Sequence, residues 1–129
     1  MNGRRTPDAN YNLKGALLNL NLGSDPPIIL KSLVEATCFG ARKIIDRFID
    51  EGVQINRILA FGGISRKLPY VMQTLCDVIQ LPIKVSASNQ TCALGSAMFA
   101  SVAAKIHLDI PNAMNKMGSG FDVTYQPNT

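Results

Sequence analysis

Between Arg57 and Lys67 the chain reads RILAFGGISRK. The first part is short and apolar and ends at the pair Gly62 and Gly63, which is typical of a strand buried on both faces of a parallel sheet. Because the two glycines lack a Cβ atom, the backbone can turn tightly there, and its N–H groups can approach a phosphate or a nucleotide. The stretch therefore predicts a buried strand with a candidate binding turn at its carboxyl end.

The glycine pair by itself leaves two interpretations open. It matches neither the Gly-x-Gly-x-x-Gly nor the Gly-x-x-x-x-Gly-Lys-Ser/Thr pattern of phosphate-binding loops, and plain strand-to-helix turns also use adjacent glycines. Arg66 and Lys67 would add positive charge beside a bound phosphate. Ligands of parallel sheets usually bind beyond the carboxyl ends of the strands, so the junction at residues 86–90 is a second, weaker candidate.

Strand and helix patterns alternate on both sides of this stretch. Asp25 and Pro26 predict a helix start, an N-cap side chain followed by a proline at the first helical position, and Gly52 predicts its end. The order strand, helix, strand, helix, strand, helix with short connections predicts an α/β fold with a mainly parallel sheet. The predicted segments are a loop or an extended entry segment at 2–14, a strand or short helix at 15–22, a helix up to 51, strands at 57–61 and 82–86, helices at 68–80 and 91–105, and a short helix at 111–117 before an extended polar end.

The chain is expected to fold as one unit. Its 129 residues, of which 47% are hydrophobic and 17% charged, suit a single compact domain whose core needs no disulfides. The expected organisation is an N-terminal loop at 1–14, an α/β core at 15–105 and a C-terminal tail at 106–129. The predicted helix at 91–105 is rich in small side chains, which would let it approach the sheet closely.

Charge and hydropathy exclude several classes of protein. The net charge is +4, but Lys and Arg do not cluster with aromatic residues, so no nucleic-acid partner is expected. No stretch approaches the ~20 apolar residues of a membrane span, and the polar start lacks the apolar core of a signal peptide. Cys38, Cys76 and Cys92 suit neither a disulfide framework nor a zinc site, and they are expected to be buried, reduced thiols of a cytoplasmic protein.

Several short motifs follow one another along the chain. They are EATCFGAR at 35–42, ILAFGGISRK at 58–67, Gln73 followed by CDV at 76–78, PIKV at 82–85, and QTCALGSA at 90–97. Together they resemble the carboxy-terminal lobe of the FGGY carbohydrate kinases over about residues 2–128. The resemblance implies part of a ribonuclease-H-like (actin-like ATPase) lobe, one of two lobes that close on ATP and a sugar.

The resemblance also implies a nucleotide site and a reaction. The family's adenosine-binding turn corresponds to Gly62, Gly63 and Ile64, and Lys67 stands where several relatives carry an asparagine that contacts adenine, which is a departure from the family pattern. The reaction would transfer the γ-phosphate of ATP, with Mg²⁺, to a hydroxyl of a sugar. Within the family the chain is most similar to kinases of one particular ketopentose, and a kinase for another substrate such as xylulose or glycerol is the alternative.

The sequence contains only part of such a site. The family's Asp-x-Gly-Thr phosphate loop and its catalytic Asp have no counterpart here, so the chain is expected to be a fragment without activity of its own. None of the nine carboxylates is a good substitute for that base. Asp77 is expected to make a structural hydrogen bond to the sheet, and His107 is expected to lie in a solvated loop.

Two interpretations without catalysis also stay open. The first is a freestanding nucleotide-binding module with the same turn, and the second is a structural interaction domain in which the glycines only turn the chain. In the fragment, the strand predicted at 15–22 would leave an apolar sheet edge without neighbours. Because such edges pair with other chains, a homo-oligomer is expected.

Overall fold

A computed structural model describes residues 2–128, so Met1 and Thr129, the outermost positions of the expected N-terminal loop and C-terminal tail, lie outside the described residues. The predicted alternation of helices and strands between residues 26 and 103 is confirmed. The elements are β1 Asn2–Arg4, β2 Asn10–Lys14, α1 Pro26–Asp50, β3 Ile58–Ala60, α2 Gly63–Lys67, α3 Pro69–Ile79, β4 Ile83–Ser86, α4 Thr91–Ala103, α5 Ile110–Met117 and β5 Phe121–Tyr125.

The central sheet has three strands in the order β3, β4, β5. Strands β3 and β4 are parallel, as predicted, and Ile58 lies opposite Ile83. Strand β5 joins the other side of β4 in the antiparallel direction, with Tyr125 opposite Ile83. The C-terminal tail, expected to be an extended polar end, thus supplies a strand of the sheet, and the sheet of this α/β fold is mixed.

The first 22 residues differ from the prediction in their secondary structure. Residues 2–14, expected as a loop or an extended entry segment, contain the antiparallel pair β1 and β2, and a Cβ atom on Gly3 would collide with the backbone of Tyr11 in the second strand. The prediction of a strand or short helix at 15–22 is wrong, because these residues are irregular, with Leu18 and Leu22 largely exposed. Their alternating pattern needs a neighbouring strand, and none lies beside it within residues 2–128.

Both ends of α1 follow the sequence signals. The Asp25 carboxylate accepts a hydrogen bond from the Ile28 backbone N–H at 2.9 Å, and Gly52 takes the left-handed φ of +84° just beyond the helix. On the surface of α1, Arg42 forms an ion pair with Asp46 at 2.6 Å. Its guanidinium also donates to the carbonyl of Ile79, so Arg42 satisfies a terminal carbonyl of α3 and ties the two helices together.

The core lies between α3 and one face of the sheet. Met72 and Cys76 of α3 pack on the fully buried Ile83, and Val85 of β4 is also fully buried. Burial raises the pKa of the Cys76 thiol, as it does for Cys38 in α1, so these two cysteines are the buried thiols expected from the sequence. The core of the described residues is therefore small and one-sided.

The opposite face of the sheet is open, which corrects two expectations. Strand β3 was predicted to be buried on both faces, but Leu59 is 43% exposed and Phe61 just after it is 64% exposed. Helix α4 was predicted to pack closely on the sheet, but a Cβ atom on Gly95 would meet open space. Cys92 at the start of α4 is exposed rather than buried. None of the helices in residues 2–128 combines the length and the apolar character needed to cross a membrane.

We expect Ile83→Val to destabilise the fold by about 1 kcal/mol, because it removes a methyl group from a side chain with no exposed surface. The free energy of unfolding from urea titrations followed by circular dichroism measures this. Ile106→Val is the matched control, since Ile106 is 72% exposed and should change stability by less than ~0.5 kcal/mol. Equal losses in the two variants would contradict the placement of the core.

Candidate functional site

The turn after β3 is held by its own backbone and one serine. Gly62 has a φ of +95°, a conformation that residues with a Cβ atom rarely adopt, and Gly63 begins α2. The Ser65 hydroxyl donates a hydrogen bond to the Gly62 carbonyl at 2.8 Å, and Ser65 is almost fully buried. Ser65 therefore fixes the turn from inside, a role that the sequence analysis did not assign to it.

The four residues predicted to contact a nucleotide lie together on the surface. Gly62, Gly63 and Ile64 are consecutive, and Lys67 follows within the same short helix. All four are exposed, and a Cβ atom on either glycine would have no protein atom within 4 Å. The backbone of the turn is thus open to a ligand, while the contact of these residues with adenosine stays a prediction.

Arg66, expected to bring positive charge to the turn, faces the ends of the neighbouring strands. Its guanidinium donates to the Ser86 carbonyl at 2.7 Å and forms an ion pair with Asp122 at 2.9 Å. Its charge is thereby paired inside the chain. Lys67 is the other cation of α2, and its side chain is exposed.

An apolar groove of about 490 Å³ lies beside the turn. It is bounded by the end of β3, by α4 and α5, and by the loop that leads into β5. Its apolar lining consists mainly of Leu59, Phe61, Leu94, Met98, Met114 and Phe121. Ser86, from the second predicted junction, and Thr91, the first residue of α4, add polar atoms to the groove. Both predicted junctions therefore lie at the same end of the sheet. The groove was not foreseen from the sequence because α5 and β5 form one wall.

Most of the carboxylates have structural partners. Asp25 and Asp109 cap α1 and α5, and Asp46 and Glu51 form ion pairs with arginines one helical turn away. Within residues 2–128, no three His, Cys, Asp or Glu side chains gather in a way that suits a metal ion. His107 is half-buried in the loop after α4. None of these groups is arranged as a general base facing the glycine turn.

Asp77 has the structural role expected of it, but its hydrogen-bond partners lie outside the sheet, in α3 and after β5. Its carboxylate accepts hydrogen bonds from the Asn128 backbone N–H and from Gln73 Nε2, both at 2.8 Å, and from the Asn128 side chain at 3.2 Å. The Asn128 backbone bond, followed by the Gln73 bond, holds the pKa of Asp77 below its ordinary value. Asp77 therefore fastens the segment after β5 to α3.

The sequence of the chain was compared with models of known protein families. The family model described as the FGGY family of carbohydrate kinases, C-terminal domain, matches residues 1–104. The chain belongs to this family. Helix α5 and strand β5 both lie wholly beyond the span that the FGGY model matches.

Two curated relatives of this FGGY chain are ribulokinases. The enzyme of Vibrio parahaemolyticus is 50% identical over 98% of the chain, and that of Halalkalibacterium halodurans is 43% identical over 98%. The chain spans under a quarter of their length, 22% and 23%.

Solved FGGY-type structures confirm the fold. The xylulose kinase of Lactobacillus acidophilus superimposes with a TM-score of 0.81, and the glycerol kinase of Plasmodium falciparum, solved with ADP, with a TM-score of 0.79. Each is 21% identical to the chain, which covers 25% of either structure. The predicted fold, part of a ribonuclease-H-like (actin-like ATPase) lobe, is therefore confirmed.

We expect Asp77→Asn to lower stability near neutral pH and to leave it nearly unchanged in acid. A carboxyl whose pKa is lowered by folding stabilises the native state fully above its ordinary pKa of 3.8, and this stabilisation is lost as the pH falls below that value. Urea unfolding of both proteins at about pH 6 and about pH 2 tests this, with Asp50→Asn as control. A gap between wild type and Asp77→Asn that persists at the acid pH would contradict it.

Proposed function

We propose that this chain is part of a ribulokinase, an enzyme that transfers the γ-phosphate of ATP to a hydroxyl of a ketopentose. The observation that carries the proposal is the 50% identity with the Vibrio parahaemolyticus ribulokinase over 98% of the chain. The xylulose and glycerol kinases of similar fold share only 21% of their residues with it. A ribulokinase is therefore favoured over a kinase for xylulose or glycerol.

In this function the glycine turn receives the nucleotide. The exposed backbone of Gly62, Gly63 and Ile64 would pack against the ribose and α-phosphate of ATP, because no Cβ atom at either glycine keeps the ligand away. Lys67, exposed in the next turn, would direct its ammonium group to a phosphate. These residues bind and orient ATP, and none of them takes part in proton transfer.

The chemical step requires groups that this chain does not provide. The attacking sugar hydroxyl must lose a proton to a base. Most carboxylates of the chain are engaged as helix caps or in ion pairs, and Asp77 accepts three hydrogen bonds. Mg²⁺ bridges the phosphates of ATP in such reactions, but the described residues offer no cluster to hold it, so no ligand for it is assigned here. We infer that the isolated chain is inactive and binds ATP weakly.

The cellular setting follows from the same proposal. A ribulokinase acts in L-arabinose catabolism, and its ATP is supplied in the cytoplasm. The free thiols of Cys38, Cys76 and Cys92 suit that reducing compartment.

We expect Gly63→Val to weaken ATP binding without unfolding the chain. A fusion in which this chain replaces the corresponding segment of the Vibrio parahaemolyticus ribulokinase should phosphorylate L-ribulose, while the isolated chain should not. In the fusion, Gly63→Val should raise the KM for ATP at least about tenfold, because branched methyl groups would occupy the open space over the turn. Initial rates at varied ATP measure this.

Gly40→Ala in α1 is the matched control and should leave the rates unchanged, since a Cβ atom there also meets open space. An active fusion that tolerates Gly63→Val would favour the structural interaction domain. Submicromolar ATP affinity of the isolated chain in calorimetry would favour the freestanding nucleotide-binding module.

We also expect the chain to self-associate. The outer edge of β3 has no partner strand within residues 2–128, and Leu18, Leu20 and Leu22 are more than half exposed. An unpaired strand edge and exposed leucines each promote association between copies. The mass measured by light scattering should therefore rise with concentration, and Leu18→Lys together with Leu20→Lys should reduce that rise. A monomer at every concentration is the contrary result.

A further inference from the structure

The segment that follows the part matched by the family model is tied to the glycine turn through one arginine. The family match ends at residue 104, and β5 lies wholly beyond it. Arg66 stands in α2, two residues after Ile64, and only 28% of its side chain is exposed. This arginine is the contact between the turn and β5.

The geometry of Arg66 is that of a fork. Nη1 donates to the Ser86 carbonyl at 2.7 Å and to Asp122 Oδ1 at 3.2 Å, and Nη2 lies 2.9 Å from Asp122 Oδ2. A planar guanidinium that meets both oxygens of one carboxylate is held in orientation as well as in place. Arg66 therefore connects the turn after β3 with the last residue of β4 and the second residue of β5.

The far end of β5 is fastened as well. Gln73 Nε2 donates to the Gln126 carbonyl at 2.8 Å, and Asp77 accepts from Asn128, so the chain after β5 is bound to α3. Helix α3 follows α2 directly, with only Leu68 between them. Strand β5 is thus attached at both ends to the two helices that carry the turn.

We propose that Arg66 and Asp122 are positioning residues that set the glycine turn for the nucleotide, so that residues 118–128 act as a part of the nucleotide site without touching the ligand. The proposal rests on the nucleotide role given to the turn above. The proposal also has a structural part, which is that the ion pair restrains α2 and the glycine turn. A measurement on the ligand-free chain tests this part independently of nucleotide binding.

The first measurement is amide hydrogen exchange in the ligand-free chain of 129 residues. The Leu68 amide donates to the Ile64 carbonyl at 3.0 Å, so its exchange reports opening of the turn. Asp122→Asn should speed exchange at Leu68 about fivefold, the size expected for a half-exposed charged hydrogen bond. The Val53 amide, which closes the end of α1, should keep its wild-type rate.

Two further variants distinguish the two-point contact between the Arg66 guanidinium and the Asp122 carboxylate from the attraction between their charges alone. Asp122→Glu retains a carboxylate and should restore most of the protection at Leu68, whereas Arg66→Lys keeps the charge, loses the fork and should not. Asp8→Asn breaks the exposed pair with Arg47 on α1 and is the matched control, without effect at Leu68. Wild-type exchange at Leu68 in Asp122→Asn, or equal acceleration at Val53, would overturn the proposal.

The second measurement uses the active fusion described above. Asp122→Asn should raise the KM for ATP about fivefold with little change in kcat, because the turn is misplaced while the reacting groups are untouched. An unchanged KM for ATP overturns the positioning role. If the wild-type fusion is inactive, the proposed function fails, and the exchange experiment still decides whether the Arg66 and Asp122 pair restrains the turn.

Discussion

The parallel pairing of β3 with β4, packed beneath α3, is the constraint on which the rest of the structure depends. Ile83 has no exposed surface, and its contacts with Met72 and Cys76 fix the height of β4 against the helix. Because Ile58 lies opposite Ile83, the same contacts fix β3, and both strands end at one edge of the sheet. The glycine turn and the junction after Ser86 meet at that edge for this reason.

Local signals predicted the elements that local interactions decide. The Asp25 cap, the proline that follows it and Gly52 define α1 within a few residues, and each acts on backbone that is close to it along the chain. Prediction from the sequence failed where an element depends on a distant partner. Residues 15–22 carry a strand pattern but have no strand beside them within residues 2–128, and β5 was not predicted because its pairing with β4 joins residues about 40 positions apart. Sequence patterns specify a face to be buried but not what covers it.

The candidate site divides in the same way. Gly62, Gly63, Ile64 and Lys67 were found because the chain places them together, and the family resemblance supplied their expected role. Ser65 had a signal that was not used, a serine three residues after the carbonyl it binds. The sequence indicated the positive charge of Arg66 but not its two-point contact with Asp122, since Asp122 stands 56 positions further along the chain. The groove could not be predicted because α5 and β5 form one of its walls, and the position of β5 depends on its long-range pairing with β4.

The late position of β5 has a consequence for synthesis on the ribosome. Chains fold from the N-terminus as they emerge, so β3, β4 and α3 can assemble while residues 121–125 are still inside the exit tunnel. During that interval one edge of β4 is unpaired, and Asp122 is not yet available to Arg66. Strands β3, β4 and β5 form their sheet only after Phe121–Tyr125 has left the tunnel. A message truncated before the codon for Phe121 would therefore yield a product with helices α1 to α5 and an unfinished sheet.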